Sequence, residues 1–134
     1  MYTKILVPVS LAEEADNKAA FELARLFVGE KGEICALHVI ETVTSFSEAY
    51  VPSEVTQQWE TEAKDKFEAL VPQDVRQKEV LHGSAGMAIL TYAEKIDADC
   101  IIVASHRPGL ADYFLGSTAA RVVRHAQCSV HVLR

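Results

Sequence analysis

The stretch DCIIVASHRPGLADYFLGSTAARVVRHAQCSVHVLR, residues 99–134, contains a complete strand–helix–strand pattern. Residues 99–105 and 128–134 are short, β-branched runs bounded by turn residues or charges, which is typical of strands. Residues 117–127 between them have apolar side chains at helical spacing. We therefore predict that a strand, a helix and a further strand follow one another here, as in a sheet covered by helices.

The same alternation continues towards the N-terminus. Runs at 4–9, 34–40 and 75–81 predict three more strands, and most of the strand runs are apolar throughout their centres. Such continuous apolar runs are typical of parallel strands that helices cover on both faces. The pattern thus predicts four β–α units closed by a fifth strand.

Helical periodicity is clearest in two of the connecting segments. The first ends at Gly29 and Gly32, and the second begins with a predicted Ser53 cap and ends before Pro72. Segments 84–97 and 117–127 supply two more helices. The apolar stripes that we expect to face the core are Ala15, Ala19, Phe21, Leu23, Leu26 and Phe27 in the first helix, and Val55, Trp59, Ala63, Phe67 and Leu70 in the second.

Right-handed crossovers turn this order into one doubly wound α/β domain over residues 1–134, with a five-stranded parallel sheet of order 3-2-1-4-5 and four flanking helices. Strands 1 and 4 then lie side by side where the winding reverses. Ligands of such sheets bind at the carboxyl ends of the strands beside this switch point. Those ends are Pro8–Ser10 and Ala104–Gly109.

Composition limits the classes of function. The 134 residues are 49% hydrophobic and 24% charged, the balance of a globular domain, and the net charge of −6 argues against a broad nucleic-acid interface. We find no signal-peptide pattern and no apolar run of bilayer length, and expect a cytoplasmic protein. Cys35, Cys100 and Cys128 lie in strand-like runs without metal-ligand spacing, so we expect reduced packing residues.

The turn before the last helix has the chemistry of a phosphate site. Gly116 lacks a Cβ, Ser117 and Thr118 offer hydroxyls, and a helix N-terminus adds free N–H donors and partial positive charge. Arg107 can add a guanidinium. The alternative is that Gly116 and Ser117 only cap the helix.

Other constellations are weaker. The chain has no GxGxxG, Walker, GxSxG or HExxH motif, and no serine has a recognisable base partner. His38, His82 and His106 follow or end predicted strands, where we expect ring-to-backbone hydrogen bonds rather than a metal site. The charges of 60–68 look like the solvated face of the second helix.

Four stretches together resemble the universal stress protein family. They are ILVPVS, ALHVIE, HGSAGMAILTYAEKIDADCIIVASHR and FLGSTAARVVRHAQCSVHVLR, and they cover nearly the whole chain. The Gly-Ser, helix and final strand of the tail are the most specific part, and ASHRP is similar to one branch of small bacterial stress proteins. The resemblance implies the adenine nucleotide alpha hydrolase-like fold and an ATP site; it leaves ADP or AMP, and an accompanying Mg²⁺, open.

The family's phosphate pattern is Gly, two residues, Gly, nine residues, Gly, then Ser or Thr. Here Ala104 and Arg107 stand at the first two glycines, Gly116 and Ser117 form the final pair, and the segment between Arg107 and Gly116 is one residue shorter. The resemblance implies that Gly109 takes over the missing turn. An Arg107 contact to phosphate would contribute about 1.5–3 kcal/mol.

The nucleoside end of the implied site also departs from the family. Ser10 stands where an Asp usually contacts the nucleoside, and a serine hydroxyl can still accept one hydrogen bond. Val39 matches the residue beside the adenine, and Val103 matches the apolar residue before the first glycine. The other positions that the resemblance assigns to the nucleotide are Pro8, Val9, Ser105, His106 and Thr118.

Two functions stay open at this stage. One is an ATP-binding regulatory protein with at most slow hydrolysis, and the other is a dimeric interaction protein without a nucleotide. The resemblance implies a homodimer through strand 5, and an apolar terminal strand without proline is suited to edge pairing. An adenylyl transferase is disfavoured because strand 1 lacks the paired-histidine signature, and an electron-transfer flavoprotein half would be longer. The residues expected in the dimer contact are Ser129, Val130, His131, Val132 and Leu133.

Overall fold

The computed structural model describes residues 1–41, 52–105 and 115–134, which form five strands and four helices. The predicted His106, Arg107 and Gly109 and most of the loop 42–53 lie outside the described residues. In chain order the elements are β1 (Tyr2–Pro8), α1 (Glu14–Phe27), β2 (Val28–Glu41), α2 (Ser53–Leu70), β3 (Gln77–Gly83), α3 (Ala85–Lys95), β4 (Cys100–Ala104), α4 (Ser117–His125) and β5 (Ser129–Leu133).

The strands form one parallel sheet of order β3-β2-β1-β4-β5, which confirms the predicted doubly wound fold. Ile5 of β1 is in register with Ile34 of β2 on one side and with Cys100 of β4 on the other. The chain winds outward from β1 first towards β3 and then, beginning with β4, towards β5. The switch point therefore lies between β1 and β4.

Two apolar layers enclose the sheet because side chains alternate along each strand. Ile5 and Val7 belong to the layer under α1 and α2, whereas Leu6 belongs to the layer under α3 and α4. The helices complete these layers with Ala20, Phe21, Ala24 and Phe67 on the first face and Ile89, Ala93, Ala119 and Val122 on the second. Burial on both faces explains the continuous apolar strand runs in the sequence.

The prediction that Gly29 and Gly32 end the first helix is wrong. The helix ends at Phe27, and Val28 already pairs with Tyr2 at the start of a longer β2. The pairing then shifts, with Lys4 next in register with Glu33, so both glycines lie within the irregular part of β2. Gly32 is needed for close packing there, since a Cβ would lie 2.5 Å from Cγ2 of Val28.

The predicted core stripe of α1 is also partly wrong. Leu26 is 74% exposed, and the buried residues are Asn17, Ala20, Phe21 and Ala24. These positions have the i, i+3, i+4, i+7 spacing of one helix face. The polar Asn17 concealed this pattern, because its buried amide forms hydrogen bonds with the backbone of a turn and not with solvent.

In α2 the predicted cap and part of the stripe are corrected. Pro52 occupies the N-cap position and Ser53 is the first helical residue, without a side-chain capping bond. Trp59 is 55% exposed, and Phe67 is the residue of this helix that is buried. Glu60 contacts His82, one residue before β3 ends.

The amino-terminal ends of β1 and β4 are fastened by one carboxylate. Asp99 accepts hydrogen bonds from the backbone N–H of Thr3 and of Lys4, both at 2.9 Å, and from the Thr3 hydroxyl at 3.0 Å. Burial alone would raise the pKa of the Asp99 carboxyl, but these hydrogen bonds together outweigh it and lower the pKa below its ordinary value. The starts of β1 and β4, opposite the switch-point crevice, are thus tied together by satisfied polar groups.

Candidate functional site

A cleft of about 340 Å³ opens at the carboxyl ends of β1, β2 and β4, beside the switch point. The first turns of α1, α3 and α4 form its rim, because each helix of a β–α unit begins near the end of the preceding strand. The predicted site residues within the described ranges all line this cleft, namely Pro8, Val9, Ser10, Val39, Val103, Ala104, Ser105, Gly116, Ser117 and Thr118.

One part of the cleft has apolar walls. Val39 of β2 and Val103 of β4 face it, and Ile89 of α3 adds a third aliphatic side chain. Val103 is 3% exposed and Ile89 is 2% exposed, so both are held by the core. Fixed aliphatic walls of this kind suit a flat aromatic ring better than a charged group.

The turn after β1 is held by an amide that the sequence reasoning missed. Asn17, 5% exposed, accepts a hydrogen bond from the Ser10 backbone N–H through Oδ1 at 3.0 Å and donates through Nδ2 to the Ser10 carbonyl at 2.5 Å. The Ser10 hydroxyl oxygen accepts a longer bond from the Ala12 N–H at 3.3 Å. The Ser10 turn is therefore fixed at the cleft by buried hydrogen bonds.

The amino-terminus of α4 forms the opposite wall. Gly116 is the N-cap residue, and it has no side chain with which to bond the first-turn N–H groups. Ser117 is the first helical residue rather than the cap, so a serine cap does not explain this turn. Gly116 has φ −58° and ψ 153°, angles that any residue adopts, so its backbone does not require glycine. This wall presents N–H donors and hydroxyls to the cleft.

Acidic side chains line the end of the cleft away from α4's first turn. Glu13 and Asp16 come from the start of α1 and Glu41 from the end of β2. The Oδ2 atom of Asp16 is buried and accepts no hydrogen bond from the described part of the chain. Sequence reasoning missed these three acids, although their positions near the carboxyl ends of strands 1 and 2 were a usable signal.

Ser105, at the end of β4, lines the cleft and also forms hydrogen bonds with β5. The Ser105 backbone N–H and its hydroxyl both donate to the carbonyl of Leu133, at 2.9 and 3.1 Å. Ser105 is buried at 7% exposure, whereas the neighbouring Ala104 is exposed. Ser105 thus joins the end of β4 to the end of β5, while its oxygen retains lone pairs on the cleft side.

The histidines divide between two environments. His38 donates from Nδ1 to the Val9 carbonyl at 2.9 Å, which confirms the expected ring-to-backbone bond. His82 instead lies 3.1 Å from a carboxylate oxygen of Glu60. Over residues 1–41, 52–105 and 115–134, no group of three His, Cys, Asp or Glu side chains could hold a metal ion.

The cysteines are free thiols, as expected. Burial raises the pKa of Cys35 and of Cys100 to about 11, so both are protonated packing residues near neutral pH. Cys128 is half-buried, and burial raises its pKa as well. None of the helices in the described ranges has the length and apolarity needed to cross a bilayer.

Fold and cleft together define a doubly wound α/β domain with a ligand-sized crevice at its switch point. The model of the universal stress protein family matches residues 1–134, and the chain belongs to this family.

Individual proteins are similar to this chain over all or nearly all of their length. Universal stress protein G of Shigella flexneri is 29% identical over 143 residues, which cover 100% of both chains. The solved structure of the hypothetical protein MJ0577 is 30% identical, with a TM-score of 0.78 over 99% of this chain and 96% of that one. A universal stress protein in complex with cAMP has the same fold, with a TM-score of 0.57 at 19% identity over 99% and 97% of the two chains.

Proposed function

We propose that this protein is a cytoplasmic regulatory protein of the stress response and that ATP, or ADP or AMP, binds in the switch-point cleft. The observation that carries the proposal is the convergence of the predicted contact residues from β1, β2, β4 and α4 on one cleft of about 340 Å³. That volume is at the lower end of the range of small-molecule sites. A universal stress protein of the same fold binds an adenine nucleotide, cAMP.

The chemistry of the two ends gives the nucleotide an orientation. Phosphate oxygens suit the N–H groups and hydroxyls at Gly116, Ser117 and Thr118, where the helix dipole favours negative charge. The adenine ring suits the space between Val39 and Val103. The acidic end would repel phosphates, but its carboxylates can accept hydrogen bonds from ribose hydroxyls.

Carboxylates at the start of α1 can replace the Asp that the family usually has at the position of Ser10. The hydroxyl oxygen of Ser10 already accepts a bond from Ala12, so it is a weaker acceptor than the family's carboxylate. Glu13 and Asp16 bring carboxylates to the same end of the cleft. We propose that these side chains receive the sugar hydroxyls that Asp receives elsewhere in the family.

We assign no residue a catalytic role. Neither a general base nor an arginine finger can be named, and slow hydrolysis is the most that we expect. We also assign no protein ligand to Mg²⁺, because the described residues contain no metal-binding cluster. We propose instead that the protein acts by binding a partner differently in its nucleotide-free and nucleotide-bound states.

The first test is to purify the protein without added nucleotide, denature it, and identify released small molecules by mass spectrometry. Stoichiometric ATP, ADP or AMP is the expected result. If nothing is released, and millimolar ATP, ADP and AMP also fail to raise the melting temperature, the proposal is wrong.

Gly116→Val provides the sharper test. We expect at least about a tenfold loss of ATP affinity by calorimetry, because a branched side chain at the N-cap blocks the N–H donors, each such charge-assisted bond contributing about 1.5–3 kcal/mol. The unfolding midpoint of the empty protein should barely change, because the backbone angles at Gly116 suit any residue. A large drop in that midpoint would show instead that the glycine is structural.

A second function is favoured by β5, the end strand of the described sheet. β5 pairs with β4, and its residues Val130, His131, Val132 and Leu133 are half-buried rather than covered. An apolar edge of this kind is suited to pairing with a second copy around a two-fold axis. The candidate is a dimeric interaction protein, and sedimentation at micromolar concentration tests it: a monomer would exclude it.

A further inference from the structure

The carboxy-terminal segment differs in charge from the rest of the chain. Residues 113–134 contain Arg121, Arg124 and Arg134 but no Asp or Glu, although the whole chain has a net charge of −6. All the acidic side chains therefore precede this segment. Two of its arginines lie on α4, together with His125 in the last turn.

These basic residues share the outer face of α4. Ala119 and Val122 are buried against the sheet, whereas Arg121, Arg124 and His125 are exposed on the opposite side of the helix. With Ser117 they form one stripe at i, i+4, i+7 and i+8, and the four residues line one open surface. We call these four residues the α4 basic face.

The arginines of the α4 basic face have no acidic partner in the described part of the chain. Some other cations there are paired, namely Lys4 with Glu33, Arg25 with Asp74 and Lys78 with Glu68. Arg121 and Arg124 take part in none of the ion pairs that the described residues form. Their charge is therefore not neutralised by an ion pair within the described ranges.

One of these arginines is also held in position. Gly86 of α3 packs against the stem of Arg121 so closely that a Cβ on Gly86 would lie 2.8 Å from the Arg121 Cδ. The absence of a side chain at this point gives the aliphatic part of Arg121 a place between the two helices. A guanidinium whose stem is packed loses less conformational entropy when it binds a carboxylate.

We infer that the α4 basic face docks an acidic segment of a partner protein. Arg121 and Arg124 are one helical turn apart, about 4.5 Å along the axis, which matches carboxylates at i and i+3 or i+4 of a partner helix. The guanidinium fork is suited to carboxylates. The α4 basic face shares Ser117 with the switch-point cleft, but its arginines do not line that cleft, and the inference does not require a bound nucleotide.

Two other occupants fit the observations less well. The acidic α2 of a second copy could supply carboxylates, but α2 and α4 lie on opposite faces of the sheet. Such a contact would be head-to-tail, and head-to-tail contacts generate rings or filaments rather than a two-fold dimer. A nucleic acid would meet only two arginines on an otherwise acidic protein, which is too small a footprint for phosphate-driven binding.

The test measures the binding of a fluorescein-labelled hexaglutamate peptide to the full chain by anisotropy, at about 50 and 200 mM salt. The double variant Arg121→Gln, Arg124→Gln is compared with Lys18→Gln, Lys66→Gln, which removes the same charge from exposed positions on α1 and α2. We expect the α4 variant to bind the peptide at least about fivefold more weakly than the wild type, because it loses two exposed ion pairs. The control should stay within about twofold, and added salt should weaken wild-type binding.

Several results would overturn the inference. These are no binding of the peptide by the wild type, equal losses in the two variants, or an α4 variant that binds as tightly as the wild type. Tighter and Arg-dependent binding of duplex DNA or of phosphatidylserine vesicles would assign the α4 basic face to a different class of partner. Arg-dependent self-association in sedimentation would assign it to a second copy. Circular dichroism confirms that both variants are folded.

Discussion

The two ends of the β1–β4 pair are built from the same two strands and behave in opposite ways. At the amino-terminal end, the Asp99 carboxylate receives three hydrogen bonds from Thr3 and Lys4 and ties the two strands together. At the carboxyl end, the chain leaves β1 through the Ser10 turn and approaches α4 through Gly116, and a cleft of about 340 Å³ opens between them. One end satisfies its polar groups internally, and the other leaves donors and acceptors for a ligand.

The difference follows from the direction of the strands. In a parallel sheet the helices begin at the carboxyl ends, so unpaired N–H groups collect on that side. The opposite side receives helix ends and strand starts, which local side chains such as Asp99 can close. Stability should therefore depend most on the closed end, while ligand affinity should depend on the open end.

Asp99→Ala is the substitution from which we expect the largest loss of stability without a loss of nucleotide affinity. It removes a partly buried acceptor of three hydrogen bonds, and we expect a loss of about 2–3 kcal/mol in the free energy of unfolding, measured with urea. Nucleotide affinity of the folded protein should not change. Asp74→Ala is the matched control, because the exposed Arg25–Asp74 pair should contribute only about 0.2–1 kcal/mol.

The same carboxylate predicts a pH dependence. The pKa of Asp99 is lowered below its ordinary value of 3.8, so its contribution is complete above that value and is lost as the pH falls through the folded pKa. The stability difference between the wild type and Asp99→Asn should therefore shrink below about pH 4. A difference that stays constant down to pH 2.5 would contradict this role for the carboxylate.

Asn17→Ala tests the buried amide that holds the Ser10 turn at the open end. It removes both buried hydrogen bonds to the Ser10 backbone, and we expect a loss of about 2 kcal/mol in unfolding free energy together with weaker nucleotide binding. Asn17→Asp keeps an acceptor for the Ser10 N–H but loses the donor to the Ser10 carbonyl. Its unfolding free energy should therefore lie between those of the wild type and of Asn17→Ala. If Asn17→Ala left both quantities unchanged, the Ser10 turn would not depend on this amide.

Asp16→Ala should have the smallest effect on stability and the opposite sign. Its buried Oδ2 has no partner within the described ranges, and removing such an oxygen should outweigh the lost dipole interaction and stabilise the protein by about 1 kcal/mol. Nucleotide affinity should fall, because an acceptor for sugar hydroxyls is gone. Glu14→Ala, also in the first turn of α1, measures the dipole contribution alone. A destabilised Asp16→Ala protein would contradict the prediction.

Prediction from the sequence was accurate where all residues on a face of a helix or strand serve only to pack in the core. The strand runs identified the parallel sheet and its order, since burial on both faces imposes continuous apolar residues. The stripe of α1 was misplaced because Asn17 occupies a core-facing position for a hydrogen-bonding reason, which periodicity does not detect. The early start of β2 was missed because its glycines usually end helices, whereas Gly32 here serves a close contact with Val28.

The strand and helix patterns by themselves determined the doubly wound order and the switch point, because chain direction and crossover handedness leave few arrangements, and the family resemblance supplied most of the residues assigned to the cleft. Only the tertiary structure decided that Glu13, Asp16 and Glu41 share the cleft, that Asn17 holds Ser10, and that Gly116 rather than Ser117 precedes α4. These features depend on distances between segments far apart in the chain or on backbone angles at a helix end. Local sequence patterns carry little information about either.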